Sequence, residues 1–294
     1  MTFTFKKAER KKSKLKLAIA GPSGSGKTMS ALRLAKGIGG KVAVIDTENE
    51  SASLYSDRFE FDTASLFPPY TTEKYLSAMQ GAVDAGYDVI IIDSISHQWA
   101  GDGGILSRKE QMDARGGNSF TNWGKMSPEQ EKFKSAILHC PVHLIVTMRS
   151  KQDYVMTEND KGKQMPKKVG LAPVQREGME YEFTTVFDVA MNHETAVSKD
   201  RTDIFKDTFF QISEETGKTL AKWLDTGIEA PAPEAGPTPL TLRKELSAEI
   251  KSEQTRLEWS GKQLIDFVGE HFSKSSTDLS LAEMGELAEM LSKV

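Results

Sequence analysis

The sequence holds 294 residues, 38% of them hydrophobic and 27% charged, a balance that excludes a mostly disordered or collagen-like chain. That length suits one large α/β domain, or a core domain with an appendage. The 38 basic residues against 42 acidic ones give a net charge of −4, which argues against a protein that coats nucleic acid through bulk positive charge.

The chain opens with a basic arm over residues 1–14, where Lys6, Lys7, Arg10, Lys11, Lys12 and Lys14, followed by Lys16, stand against a lone Glu9. Such an arm suits phosphate contacts or a solvated tail. The apolar stretch after it runs directly into glycines, so no signal peptide is expected. A first strand at Leu15–Ala20 feeds Gly21, Pro22, Ser23, Gly24, Ser25, Gly26, Lys27 and Thr28, then the helical run MSALRLAKGIG. This is the Walker A pattern in its strand, loop and helix setting. The glycines let successive backbone N–H groups turn inward on a phosphate, and the helix N-terminus adds partial positive charge. Lys27 would hold the β and γ phosphates of ATP, and Thr28 would offer a hydroxyl to Mg²⁺.

A second strand, Lys41–Asp46, ends in DTENE. Glu48 lies on the edge where such sheets present their ligand-binding ends, and it is a candidate base for the attacking water, with Asp46 and Glu50 as competitors. A third, Val89–Asp93, ends in an acid as a Walker B strand does, which makes Asp93 the carboxylate on the metal side. The polar segment 99–131 follows, mixing Arg108, Lys109, Arg115 and Lys125 with Phe120 and Trp123, and is read as lacking regular structure. Cys140, the one cysteine, sits among apolar neighbours before a strand at His143–Thr147 and is expected to be a buried structural thiol. Residues 149–168, with six basic and three acidic side chains, are read as a second long loop. The runs TTVFDVAM and DTFFQI come next with no long helix between them, so the far edge of the sheet is expected to be antiparallel.

Alternating strands and helices over residues 15–226 predict an α/β core, mainly a parallel sheet flanked by helices. The run GIEAPAPEAGPTP, residues 227–239, reads as an extended linker. Beyond it, in 240–294, Leu242, Leu246 and Ile250, then Leu264, Ile265, Val268 and Phe272, then Leu281, Met284, Leu287 and Leu291 form stripes of a small helical region. From Gly227 onward there are 7 basic and 12 acidic residues, so the acid excess lies beyond the core. No apolar run approaches the roughly 20 residues that cross a bilayer, so no membrane partner is expected. The five histidines show no zinc-ligand spacing.

These motifs resemble the RecA-like P-loop ATPases, in particular the compact phage type described as ATP-binding or single-strand-annealing recombinases. Asp46-Thr47-Glu48 is similar to that family's Asp-x-Glu, whose glutamate activates water, and Asp93-Ser94 is similar to its Walker B ending. Thr147, Arg149 and Ser150 stand where the family senses the γ phosphate and signals to a DNA-binding loop. Lys167 and Lys168, ahead of Ala172-Pro173, resemble the lysines that reach a neighbour's ATP, with Arg176 as a rival finger. The chain departs from the family in having no N-terminal oligomerisation domain and no glutamine at the sensor position, where Met148 or Arg149 stands.

The resemblance implies a Mg²⁺-dependent ATPase that binds single-stranded DNA, works as a homo-oligomer with ATP at subunit interfaces, and resides in the cytoplasm, that of the bacterial host if phage-encoded. The basic and aromatic segments 99–131 and 149–168 suit single strands, whose phosphates and bases they would meet; a lid over ATP is the alternative. A helicase loader or ATP-driven replication switch, and a P-loop small-molecule kinase, remain rival readings. The C-terminal helices would serve a single-strand-binding protein or helicase, or shield the DNA site with acid.

Overall fold

A computed structural model describes residues 5, 7–116, 118–158, 164–228, 239–272, 274–275, 279 and 281–293; side chains are described outside 152–170 and outside 239–242, 244–245 and 281–282. The chain divides into two compact units, Met1–Glu229 and Ala230–Val294.

The first unit is built on β1 (Lys16–Gly21), β2 (Val42–Asp46), β3 (Asp62–Ser65), β4 (Val89–Asp93), β5 (His143–Glu158), β6 (Gln164–Pro173), β7 (Thr185–Val189) and β8 (Thr195–Asp200). The sheet runs β3-β2-β4-β5-β1-β7-β8, and β6 pairs with β5 off that path. Every pair from β3 to β7 is parallel, and only β7 with β8 closes the far edge antiparallel. All residues of β1, β2 and β4 are buried, because helices cover both faces and each strand must be apolar on both sides. On one face Ile45, Ile90, Ile92 and Val146 pack with Tyr75 of α2 (Thr72–Asp84) and with Phe133 and Ile137 of α5 (Ser119–His139). On the other, Leu17, Ile19, Val44 and Ile91 pack with Leu32 and Leu34 of α1 (Lys27–Ile38) and Leu220 of α6 (Glu214–Leu224). Cys140 is a buried free thiol.

Several local expectations are corrected. Residues 99–131 are helical: α3 (Ser96–Ala100) and α4 (Ile105–Ala114) precede α5. The buried face of α5 is Asn122, Met126, Gln130, Phe133 and Ile137, a helical stripe whose polar members hide it from a hydrophobic count. Asn122 Nδ2 donates to Asp113 at 2.9 Å and Gln130 accepts from Gln98 at 3.2 Å, so the buried amides are paired. Residues 149–168 are not a loop either. β5 runs on past Arg149 to Glu158 and returns antiparallel as β6, from Ser150↔Pro173 to Glu158↔Gln164. The segment 207–212 is no strand; only Phe210 bridges, to Thr195, and the partner of β7 is the less apolar β8.

At the N-terminus, Lys16 is no part of a phosphate-binding arm, since it begins β1 and is 6% exposed. Arg10 stacks its guanidinium 4.2 Å from the Trp223 ring, and Lys12 N–H donates to the Ile228 carbonyl at 2.9 Å, so residues 10–13 run along the end of α6. Among the described residues no helix is long and apolar enough to cross a membrane.

The second unit consists of α7 (Pro239–Arg256), α8 (Gly261–Phe272) and α9 (Leu281–Ser292). Ile250, Val268, Leu279, Met284, Leu287 and Leu291 form its core. Ile265, expected on the stripe of α8, is instead exposed.

Candidate functional site

The residues expected to hold phosphate come together at the C-terminal end of the parallel strands. β1 ends at Gly21, level with Arg149 of β5, and the loop that follows turns twice through left-handed backbone, at Gly24 (φ 80°) and Gly26 (φ 87°). A β-carbon is strained at both places, so the loop can curl tightly only with glycine. Gly26 leads straight into α1, whose N-terminus has no side-chain cap; its first N–H groups are thereby left for a ligand. Ser25 Oγ is buried without a hydrogen-bond partner in the described structure. Lys27 Nζ donates to the Pro22 carbonyl at 2.8 Å. Burial lowers its pKa, while the charges of Asp93 and Glu48 act to raise it.

A cavity of about 760 Å³ opens over this loop, lined by Ser23, Gly24, Gly26, Lys27, Thr28, Glu48, Asp93 and Arg149. Its size suits a nucleotide. The uncapped helix end and the cavity together fit a chain of phosphates. Arg33, Tyr55, His193 and Gln211 also line it and belong to no motif in the sequence. His193, in the turn between β7 and β8, places Nδ1 3.0 Å from the Ser25 carbonyl; an isolated histidine in a turn carried no signal of that contact.

On the metal side, Thr28 Oγ1 donates to Asp93 Oδ2 at 2.5 Å and Thr147 Oγ1 donates to Asp93 Oδ1. Asp93 is 2% exposed. Burial raises its carboxyl pKa, and the two threonine hydroxyls pull it back down. Among the described residues no group of three or more His, Cys, Asp or Glu side chains could hold a metal ion by itself. The donor set here is one hydroxyl and one carboxylate, which fits Mg²⁺, a cation that takes few protein ligands beside phosphate and water.

Glu48 lines the same cavity. Burial pushes its carboxyl pKa up, but the hydrogen bonds and charge of Arg149, with smaller help from His97 and Ser94, outweigh that and hold it low. Arg149 is bidentate: Nε donates to Glu48 Oε1 at 2.8 Å and Nη2 to Oε2. Of the competing acids, Asp46 is occupied in holding the turn, accepting the Glu48 N–H at 2.6 Å and the Ala52 N–H at 2.9 Å. Glu50 accepts from Ser65 at the surface, and neither lines the cavity. An ionised Glu48 facing that space can accept a proton.

The remaining candidates are scattered. Lys167 and Lys168 lie on β6 with their side chains outside the described residues. Arg176 Nη1 is buried without a hydrogen bond, 3.9 Å from Glu131. Of the basic groups in 99–131, Arg108 pairs with Glu129 and Lys109 with Asp113, whereas Arg115 and Lys125 are exposed. Trp123 stacks on Trp99 at 5.8 Å, and Phe120 is 85% exposed.

This geometry agrees with comparison against known families. The family described as AAA domain has a model that matches residues 13–223. The chain belongs to that family. As an AAA-domain protein it is a P-loop ATPase by class, and the family implies nucleotide binding, usually with Mg²⁺. The match spans most of the first unit and none of the second. It carries the ATPase class and not the recombinase type. None of the curated proteins matches this AAA-domain chain.

Proposed function

We propose that this AAA-domain protein is a Mg²⁺-dependent ATPase that acts on single-stranded DNA in phage-type recombination, annealing or repair. The observation that carries the reading is the continuity of β5. One strand holds Thr147 against Asp93, holds Arg149 against Glu48, and then extends to Glu158 in a hairpin with β6. Arg149 and Lys151 lie on β5 and Lys167 and Lys168 on β6, so the element that borders the nucleotide also carries cationic residues of the kind that meet a phosphate backbone. Exposed Arg115, Lys125 and Phe120 add cations and an aromatic ring.

In this reading Lys27 and the loop N–H groups bind the β and γ phosphates, and Thr28 with Asp93 holds the cation. Mg²⁺, when bound, neutralises charge on the phosphate oxygens. Glu48 orients water and takes its proton. Arg149 answers to the γ phosphate and passes its state along β5 to the hairpin. Lys167 or Lys168 of a neighbouring copy completes the site across a subunit interface, and the C-terminal helices engage a single-strand-binding protein or helicase. The test is ATP turnover with and without single-stranded DNA at low salt. Stimulation of several-fold is expected; DNA that neither binds nor stimulates would overturn the reading.

A further inference from the structure

Beside Glu48 the fold builds a polar cluster that the nucleotide motifs do not account for. Thr47, the residue before Glu48, is 2% exposed. Its hydroxyl accepts the Ser94 N–H at 2.8 Å and lies 2.8 Å from His97 Nδ1 and 3.1 Å from the Ser94 carbonyl. A hydroxyl has one proton and two lone pairs. Either Nδ1–H donates to Thr47 and Thr47 donates to the Ser94 carbonyl, or Thr47 donates to an unprotonated Nδ1. In both arrangements His97 completes the bonding of a buried hydroxyl that has no water to turn to. Ser94 then extends the chain, because its Oγ donates to Glu48 Oε1 at 3.1 Å and its carbonyl also accepts from Tyr75 at 3.0 Å. The tips of β2 and β4 are tied together at the base of the Glu48 side chain, and His97 is the outer member of the tie.

His97 is itself held in place. The Tyr70 ring stacks on it at 4.8 Å and 19°. Its helix α3 is fixed on both sides, by Gln98 donating to Thr72 at 2.8 Å and by Trp99 on Trp123. Burial, then the charge of Arg149, lowers the imidazole pKa, with Glu48 pulling it partly back, which keeps the ring neutral near pH 7. His97 does not line the nucleotide cavity, so any influence on hydrolysis passes through its neighbours.

We propose that His97 is a positioning residue for ATP hydrolysis, fixing the Glu48 carboxylate through Thr47 and Ser94. This rests on the reading of the chain as an ATPase with Glu48 as base. The test measures steady-state ATP turnover and nucleotide binding on the full chain. His97→Phe keeps a ring on Tyr70 and removes the nitrogen; kcat should fall about tenfold, the effect of one buried hydrogen bond, with KM and nucleotide affinity unchanged. His97→Asn, which returns a polar atom near Nδ1, should recover most of the loss. In a Thr47→Val background the His97→Phe change should cost little more, because the two act in series.

Wild-type kcat in His97→Phe, equal losses in Phe and Asn, or fully additive losses with Thr47→Val would each overturn the proposal. A fall in nucleotide affinity parallel to kcat would overturn it too, by showing a general loss of structure. Turnover by the wild-type chain with unaffected variants sinks this inference alone, whereas no turnover by the wild type, with Mg²⁺ and single-stranded DNA present, sinks the ATPase reading and this inference with it.

Discussion

The two ends of the parallel sheet both bury charged or titratable groups, yet they bury them in different company. At the N-terminal end, Lys16 donates to the carbonyls of Cys140 at 2.8 Å and Val142 at 3.0 Å, and His143 Nδ1 accepts the Leu15 N–H at 3.2 Å. These partners are backbone groups of residues that lead into β1 and β5. At the C-terminal end, Asp93 is held by the hydroxyls of Thr28 and Thr147, and Glu48 by Arg149 and Ser94. These partners are side chains, around a cavity. The carbonyls around Lys16 are held by the main chain and stay where they are, whereas the side chains around Asp93 and Glu48 can themselves turn toward a ligand. Burial of a charge is therefore common to both ends, and exchangeable partners distinguish the one that can do chemistry.

Substitutions at the two ends should separate turnover from stability. The largest effect is expected from Glu48→Gln, which should lower kcat by about a thousandfold, within the range for loss of a general base. Nucleotide affinity and thermal midpoint should stay near wild type; retained turnover would remove Glu48 from the role and blur the contrast.

The opposite end should show itself in the pH dependence of unfolding, measured by denaturant titration. Burial lowers the Lys16 pKa to about 8 from 10.5. The unfolded chain then binds the extra proton between those values, so stability should rise from pH 8 to 10.5 by roughly 2–3 kcal/mol. Lys16→Met should flatten that rise and leave kcat and KM at neutral pH unchanged.

His143 is pushed down to about 4 from 6.5, chiefly by burial and then by the charges of Lys14 and Lys16. Its neutral ring contributes stability that is complete above pH 6.5 and lost as pH falls toward 4, of order 2 kcal/mol. His143→Gln should remove that acid-side loss. The smallest effect is expected away from both ends: Asn118, whose side chain accepts the Phe120 N–H at 2.8 Å to start α5, should cost about 1 kcal/mol as Asn118→Ala, with turnover unchanged.

What could be read from the sequence followed what was apolar on both faces. β1, β2 and β4 announce themselves because nothing polar is tolerated in them, and the glycine spacing of residues 21–28 is legible because a loop around phosphate needs left-handed backbone. α5 is not legible in the sequence because Asn122 and Gln130 occupy its buried stripe, each satisfied by partners on other elements. In the sequence β5 reads as ending at Thr147, because its extension pairs locally with β6 rather than lying within the sheet. Lys16 reads as part of the basic arm because lysines surround it in sequence; only the carbonyls around it show that it is inside.

The sequence by itself determined the class of the core and the loop that holds phosphate, since both depend on short-range patterns: apolar runs, glycine at fixed intervals, an acid at a strand end. The tertiary structure decided which acid faces the cavity, which hydroxyls hold Asp93, and that His97 stands behind Glu48. These are meetings of residues some 50 to 100 positions apart, as with Thr47 and His97 or Glu48 and Arg149. Strand order brings them together, and no local pattern encodes a neighbour that far along the chain.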